Sequence, residues 1–469
     1  RRLAEAEAAV TAGDALLGLE KAELLAEEAQ AVAYWPVIAE SLLLKARFES
    51  SLERSELADT SLAQALEAAQ AAGHARVAAS AFVYRVRVAG YQQADFDRGQ
   101  RYAQYAEAAL SHLGQPQELA ALLAGHRGAI FFEQGRFPEA LEAHVDALEL
   151  WTEARGPEDP KTGVALTRVG DVLLETGDLK AAAARYEAAL EIARRQYGET
   201  HPQSARLFSR TGRVLMKQGE STRARGFFEQ ALAASRATLP PDHPYLATSL
   251  SYLAQALVAA GDYEEAMDNY RQALAVLEAA EKPDPRRLSA VLSGLARTSS
   301  STNDYAQAAR FYGRALELRK EVYGDGHVLV GEAVFNLGEV AQNQGDFERA
   351  LSFFRQSLDI WRRAAPDDGF LIAAALTGVA EALLGLGDSA AALPRLEQAL
   401  GLHPQGREAE FVATTQFALA RALVAEGRES VRARELAEGA LEGFRGGRAL
   451  SGEDAREVEQ WLETHFAGR

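Results

Sequence analysis

The sequence predicts an all-α fold, a right-handed superhelical α-solenoid of antiparallel helix hairpins. Three observations carry that expectation. First, seven turn anchors follow one another at intervals of 42 residues: Gly135, Gly177, Gly219, Gly261, Asn303, Gly345 and Gly387. A fixed period of this length marks a repeat array, and such arrays stack their units into one long surface that usually binds rather than catalyses. Second, small residues hold a fixed phase after each anchor. Five residues on there is always an alanine, from Ala140 and Ala182 to Ala392, and twelve on stands Ala147, Ala189, Ala231, Ala273, Ala315, Ser357 or Ala399. Third, apolar residues inside each period recur at helical spacing, in a chain of ordinary globular composition, 48% hydrophobic and 25% charged.

Projecting the anchors backward from Gly135 gives Ala94, Glu53 and Gly13, at intervals of 41, 41 and 40 residues. These N-terminal hairpins, residues 1–120, are degenerate, with Gly90 and Gly99 where packing residues are expected. Residues 121–400 are the regular array. Asp159 is a good N-cap, and Pro160 fits the first helical position, whose N–H has no partner in any case. Val164, Leu166, Val169, Val172 and Leu173 supply the apolar face of the helix that follows, and Gly177 ends it in a left-handed conformation. Asp178 caps the return helix, whose buried face is Leu179, Ala182, Ala183, Tyr186, Ala189, Leu190 and Ile192. Asp284-Pro285 repeats the start signal, and Tyr197 to Pro202 joins one unit to the next. Connections this short make neighbouring helices antiparallel. Gly170, Gly212 and Gly338, seven residues before their anchors, mark close helix approach.

Residues 401–469 hold a terminal repeat and a cap. Gly427 follows Gly387 by 40 residues, and Ala433, Ala437 and Ala440 keep the pattern. Glu453 to Phe466 is one more amphipathic helix, with Val458, Trp461, Leu462 and Phe466 covering the last hairpin while Asp454, Glu457 and Glu459 face water. The expected total is about eleven hairpins, hence about 22 helices, plus this cap.

Several function classes are disfavoured. The formal net charge of −17 argues against general binding to nucleic acid or to an anionic membrane. With no cysteine, disulfides and thiolate metal sites are excluded. No apolar run approaches the roughly 20 residues that span a bilayer. There is no phosphate-loop motif and no His-Glu-x-x-His pair, so neither an enzyme nor a cofactor is expected. His201, His243 and His327 sit at equivalent connector positions a repeat apart, which fits a turn device better than a metal row. Trp151 and Trp361 share one repeat position and are expected to pack between second helices. The chain starts Arg1-Arg2-Leu3 without a signal segment and is read as part of a longer cytoplasmic protein. Only 7 of its 50 basic residues are lysine, which suggests a GC-rich bacterial source.

The small residues at Gly128, Gly170, Gly212, Ala254, Ala296, Gly338 and Ala380, the Gly-Asp turn and the aromatic at Tyr186, Phe228, Tyr270, Tyr312 and Phe354 resemble the tetratricopeptide repeat. The 42-residue spacing with its Tyr-Gly-x-x-His-Pro connector, clearest at Gly198 to Pro202, is similar to the variety found in kinesin light chains. A narrower likeness lies at Phe417 to Leu423, Ala433 to Ala437 and Glu459 to Leu462, which resemble the tail of myxobacterial-type serine/threonine protein kinases. That likeness implies a regulatory or sensor region controlling a kinase domain in cis. The kinase motifs themselves are absent, and Asp95-Phe96-Asp97 lies at a repeat turn.

The tetratricopeptide resemblance implies a protein–protein interaction scaffold that binds a peptide or protein segment in a concave groove lined by first helices. Carried onto this sequence, the lining residues include Arg168 and Asp171, then Arg206, Arg210, Arg213 and Lys217, then Tyr252 and Gln255, then Arg297, then Asn336 and Asn343. Arginine forks suit carboxylate and phosphate, so an acidic or phosphorylated segment is one expectation. The other is a solvated inner face whose arginines pair with Asp171 and Glu175. The chaperone-tail clamp of some family members is not expected, because Asp171 stands where it needs asparagine.

Overall fold

The computed structural model describes residues 15–280, 283–402, 409–428, 430–446 and 452–466. The expectations placed on Gly13 and on Arg1 to Leu3 lie outside them. Among the described residues the chain forms twenty-two α-helices and no strand, in two compact units, Arg1–Gln218 and Gly219–Arg469.

Unit 1 opens with α1 (Ala15–Val32). Four hairpins follow: α2 (Trp35–Ser51) with α3 (Ser55–Ala71), α4 (Ala75–Arg85) with α5 (Phe96–His112), α6 (Gln117–Glu133) with α7 (Phe137–Arg155), and α8 (Pro160–Thr176) with α9 (Leu179–Tyr197). Helix α4 runs on as a π-helical stretch, Val86–Gln92, and α10 (Pro202–Lys217) completes the unit. Unit 2 opens with α11 (Ser221–Thr238) and holds five hairpins. These are α12 (Pro244–Ala260) with α13 (Tyr263–Glu278), α14 (Pro285–Ser301) with α15 (Tyr305–Tyr323), α16 (Val328–Asn343) with α17 (Phe347–Ala364), α18 (Gly369–Gly385) with α19 (Ser389–Leu402), and α20 (Ala409–Ala425) with α21 (Ser430–Gly446). Helix α22 (Gly452–Phe466) ends the unit. Within the units, helices pack on their neighbours in sequence. First helices of successive hairpins also touch: α2 with α4, α4 with α6, α12 with α14, α16 with α18 and α18 with α20. These first helices therefore stand side by side within each unit.

The period has a backbone cause. All seven anchors have positive φ, from 60° at Asn303 to 87° at Gly177. The next residue donates its N–H to the carbonyl five positions back, at 2.9 Å for Arg136, Asp262, Asp304, Asp346 and Asp388. This is the Schellman closure, which satisfies carbonyls a helix end leaves open. Most aspartates at this position also cap the return helix: Asp178, Asp304 and Asp388 each accept a backbone N–H at 3.0 Å and Asp346 accepts one at 3.2 Å. Glu53 and Ala94 keep the left-handed turn without glycine, at φ 60° and 54°. The alanines five residues after the regular anchors are all fully buried.

The expected histidine turn device is present three times. The Nδ1 atoms of His201, His243 and His327 accept from the N–H of Gln203, Tyr245 and Leu329 at 3.1, 3.1 and 3.2 Å. Tyr197 stacks on His201 at 4.4 Å and Tyr323 on His327 at 4.6 Å. Asp95 likewise caps α5 through Arg98. Trp151 and Trp361 are buried, and the Trp361 indole donates to the Val328 carbonyl at 3.1 Å.

Two expectations are corrected. Val164 is exposed, because the inward stripe of α8 runs through Ala165, Leu166, Val169, Val172 and Leu174. Gly90 and Gly99 are themselves packing residues: a Cβ on Gly99 would stand 2.6 Å from the Gly90 Cα, and one on Gly90 would stand 2.2 Å from Ile130. The missing side chains let α5 and α6 close on the π-helical stretch. At the other end Val458 is buried, and Trp461 meets Phe417 edge to face at 5.6 Å. The residues that carried the narrower likeness thus serve to cap the last hairpin.

Candidate functional site

In unit 1, Asp171 on α8 is a hub. It accepts from the Tyr186 hydroxyl at 2.9 Å, from Arg210 Nε at 2.7 Å and from Arg210 Nη2 at 3.3 Å, with Arg168 Nη1 at 3.5 Å. Burial, then the Asp171 carboxylate, push the Tyr186 hydroxyl well above its ordinary range. Arg213 pairs with Glu175 at 3.5 Å, and the Lys217 ammonium donates to the Leu174 carbonyl at 3.4 Å. Arg206 is exposed on α10. Carboxylates from α8 therefore already meet Arg210 and Arg213.

In unit 2, α12, α14 and α16, with Tyr270 of α13, Tyr312 and Arg319 of α15 and Asp454 of α22, line a concavity of about 890 Å³. Gln255, Arg297, Asn336 and Asn343 line it together. Tyr252 does not: its ring stacks on Phe228 at 5.5 Å. Arg297 is exposed and pairs with no carboxylate among the described residues. It stands beside the Tyr270 hydroxyl, which lines the same concavity, is 1% exposed, and meets no acceptor or donor at full hydrogen-bond geometry.

Reading first helices alone missed part of this lining. Tyr270 and Tyr312 come from second helices, and they were seen only as packing aromatics. Arg319, also missed, donates to the Leu329 carbonyl at 2.8 Å and pairs with Glu332 at 3.5 Å. Glu339 faces the concavity, where surrounding protein and the neighbouring Glu381 push its carboxyl up to about 7. Burial and Glu339 drive the Tyr312 hydroxyl up to about 12. Among the described residues no metal-holding cluster occurs, and no helix is long and apolar enough to cross a membrane.

A second missed group lies in unit 1: Arg47 on α2, Arg87 in the π-helical stretch, His126 on α6 and Lys161 on α8. The Arg47 guanidinium lies 5.7 Å from the Tyr84 ring centre, Tyr84 lies 6.0 Å from the His126 ring, and His126 Nδ1 sits 3.1 Å from the Val83 carbonyl. Burial, then the charge of Arg87, hold His126 down at about 3, and Lys161 and Arg168 add to the effect. One signal was available, since His126 holds the repeat position of Arg168, Arg210 and Asn336.

The family profile for the tetratricopeptide repeat matches residues 118–195, 168–237, 203–279, 287–363 and 329–405, together more than half of the chain. No curated protein sequence matches it. Among solved structures, the apo quorum sensor NprR from B. thuringiensis is similar at TM-score 0.58 and 13% identity, covering 77% of this chain and 97% of that one. The apo form of RapI is similar at TM-score 0.56 and 13% identity, with the same coverages. A putative kinesin light chain from Podosopora anserina shares 21% identity over 44% of this chain and 98% of that one, at TM-score 0.39.

Proposed function

The chain belongs to the tetratricopeptide repeat family, and from that premise we propose that it is a protein–protein interaction scaffold whose first-helix walls capture an extended, acidic or phosphorylated segment of a partner. The unit 2 concavity carries the reading. Gln255, Asn336 and Asn343 offer amide groups that can both donate to and accept from a peptide backbone. Arg297 supplies a cation that pairs with no carboxylate among the described residues, and the buried Tyr270 hydroxyl stands beside it without a hydrogen bond of full geometry. In unit 1, considered by itself, Arg168, Arg206, Arg210, Arg213 and Lys217 offer a further set of cations on first helices. A guest carboxylate there must compete with Asp171 and Glu175.

The test is site-specific photocrosslinking in cells of the source organism. A crosslinker at Asn343, inside the concavity, should trap a discrete partner, and Arg297→Glu should abolish the adduct. The same group at Arg271, exposed on α13, should trap none. Adducts from 271 that survive Arg297→Glu would move recognition to the second helices and end the proposal.

A further inference from the structure

We propose that unit 2 carries a side pocket, adjoining the concavity and lined by Glu339, Gln342 and Glu381, that takes the ammonium of a lysine side chain on the captured segment. The inference deepens the scaffold reading and rests on it only for the source of the ammonium. It adds that the guest carries a lysine close to the acidic residue that meets Arg297.

The first argument is a shared lining. A cavity of about 140 Å³ lies among α16, α17, α18 and α20. One water needs roughly 10–15 Å³ of such space, so a side chain has room to enter. Glu339 and Gln342, one turn apart on α16, line both this cavity and the larger concavity. A segment lying in the larger space therefore runs past the smaller one. Glu381 faces them from α18, and Gln342 Nε2 donates to its Oε2 at 3.3 Å. Phe335, Phe354 and Phe411 supply the apolar sides, the first two with ring centres 5.1 Å apart. The methylenes of a lysine can lie along such rings while its charged head reaches the acids.

The second argument is a set of unmatched acceptors. Among the described residues no cation pairs with Glu339 or Glu381. Arg421 of α20 attracts Glu381 without pairing with it, and its guanidinium lies 5.6 Å from the Phe417 ring centre. Gln342 Oε1 is a buried atom without a hydrogen-bond partner, whereas buried acceptors are normally satisfied. The hydroxyls in the cavity are already engaged: Thr377 and Thr415 bond to each other at 2.8 Å, and Thr414 donates to the Glu410 carbonyl at 3.0 Å. The open positions are thus two carboxylates and one amide oxygen. An ammonium has three donors, no acceptor and a flexible stem, so it can serve all three. A planar guanidinium fork is shaped for one carboxylate. Glu339 reaches water through the concavity while protein surrounds it, and burial, then the Glu381 charge, hold its carboxyl at about 7. Burial raises the Glu381 carboxyl as well. A cation arriving from outside would return both to their charged forms.

The experiment measures the thermal midpoint of the full chain with the chlorides of n-butylammonium, n-butylguanidinium and sodium at equal ionic strength. The ammonium should raise the midpoint above that in sodium, and n-butylguanidinium should do so less. The gain should be larger at about pH 8, where Glu339 is ionised, than at about pH 6. The other groups facing the pair are Arg421 on α20, Asp454 and Glu457 on α22, and Tyr312 on α15, its hydroxyl pushed up to about 12. Glu339→Gln with Glu381→Gln should remove the ammonium effect. Glu339→Gln alone serves if the double variant misfolds, and it should weaken the effect and flatten its pH dependence. A pool of peptides that each hold one glutamate and one lysine is then compared with the same pool acetylated on lysine, which removes the charge. The free lysine should tighten binding by about tenfold or more, the scale of a charge-assisted hydrogen bond, and Glu381→Gln should erase the difference. The amine arm involves no partner segment, so it can fail while capture at Asn343 succeeds, and the reverse. Ammonium stabilisation without binding of either pool would overturn the lysine assignment and leave a pocket for a free amine. Equal midpoints in ammonium and sodium, an equal effect of n-butylguanidinium, an unchanged response in the variants, or equal binding of the two pools would each overturn the proposal.

Discussion

Tyr186 shows how much one side chain can join. Its ring lies against Gly170, where a Cβ would stand 2.7 Å away, and its hydroxyl holds Asp171, which in turn holds Arg210. Gly170→Leu should therefore push the ring out and break that chain of bonds. Overpacking alone typically destabilises by about 1–3 kcal/mol. Thermal melts should place Gly170→Leu and Gly338→Leu, which meets Phe354 at 2.7 Å, well below wild type, and wild-type melting would contradict this. His144 takes the ring position of Tyr186 in its own repeat, packed against Gly128 and 3% exposed. Burial, then the charge of Arg168, hold its pKa down at about 4. The folded state thus resists protonation that the unfolded chain accepts near the ordinary value. Stability present above pH of about 6.5 should fall as the pH drops toward 4, by up to about 1.4 kcal/mol per pH unit from this residue. His144→Phe should reduce the slope of denaturant-derived stability across that window, leaving the share of His126, which is held lower still, and an unchanged slope would refute it.

At the level of the helix hairpin, the turn geometry outlasts the turn sequence. Glu53 and Ala94 adopt the left-handed conformation that their side chains disfavour by roughly 1–2 kcal/mol. Glu53→Gly and Ala94→Gly should each raise stability by a fraction of that amount, since glycine also loses more chain entropy on folding. Calorimetry showing lower melting for both would mean that their side chains contribute more than the turn strain costs. The helix starts allow a complementary test. Replacing His243 with alanine removes the acceptor for the Tyr245 N–H and should cost about 0.5–2 kcal/mol, while asparagine should retain most of the stability.

For the whole molecule, the 42-residue period was enough to give helix order and turns across the regular array, because each anchor is a backbone requirement visible in one residue type. The alternation within a helix was less legible. Val164 was placed on the wrong face because an array helix packs against several neighbours and tolerates no single narrow stripe. The site was legible by position but not by state. Arg168, Arg210 and Arg213 could be placed on first helices, yet only coordinates show that Asp171 and Glu175 reach them. Tyr252 stacks on Phe228, and no spacing rule announces a stacking choice. The degenerate start hid Arg47 and Arg87 because their repeats lack the glycine that sets the phase. At the far end, α22 covers Phe417 with Trp461. Truncation after Gly446 should expose that surface. Hydrogen exchange should then rise in α20 and α21 and leave α12 to α15 protected, since array units feel mainly their neighbours; uniform deprotection of unit 2 would contradict it.

The π-helical stretch at Val86–Gln92 has a consequence for how unit 1 can change. A wide turn of this kind houses one residue more than an α-helix needs over the same rise, so it behaves as an insertion the fold has absorbed. Deleting a single residue there would tighten the turn and swing Arg87 around the helix axis by about a quarter-turn or more. The edited chain should still fold, with Arg87 carried to another face of the helix, and loss of folding would contradict this. A one-codon change would then redraw the charge pattern of this wall, with the identity of every other residue of the array left as it is.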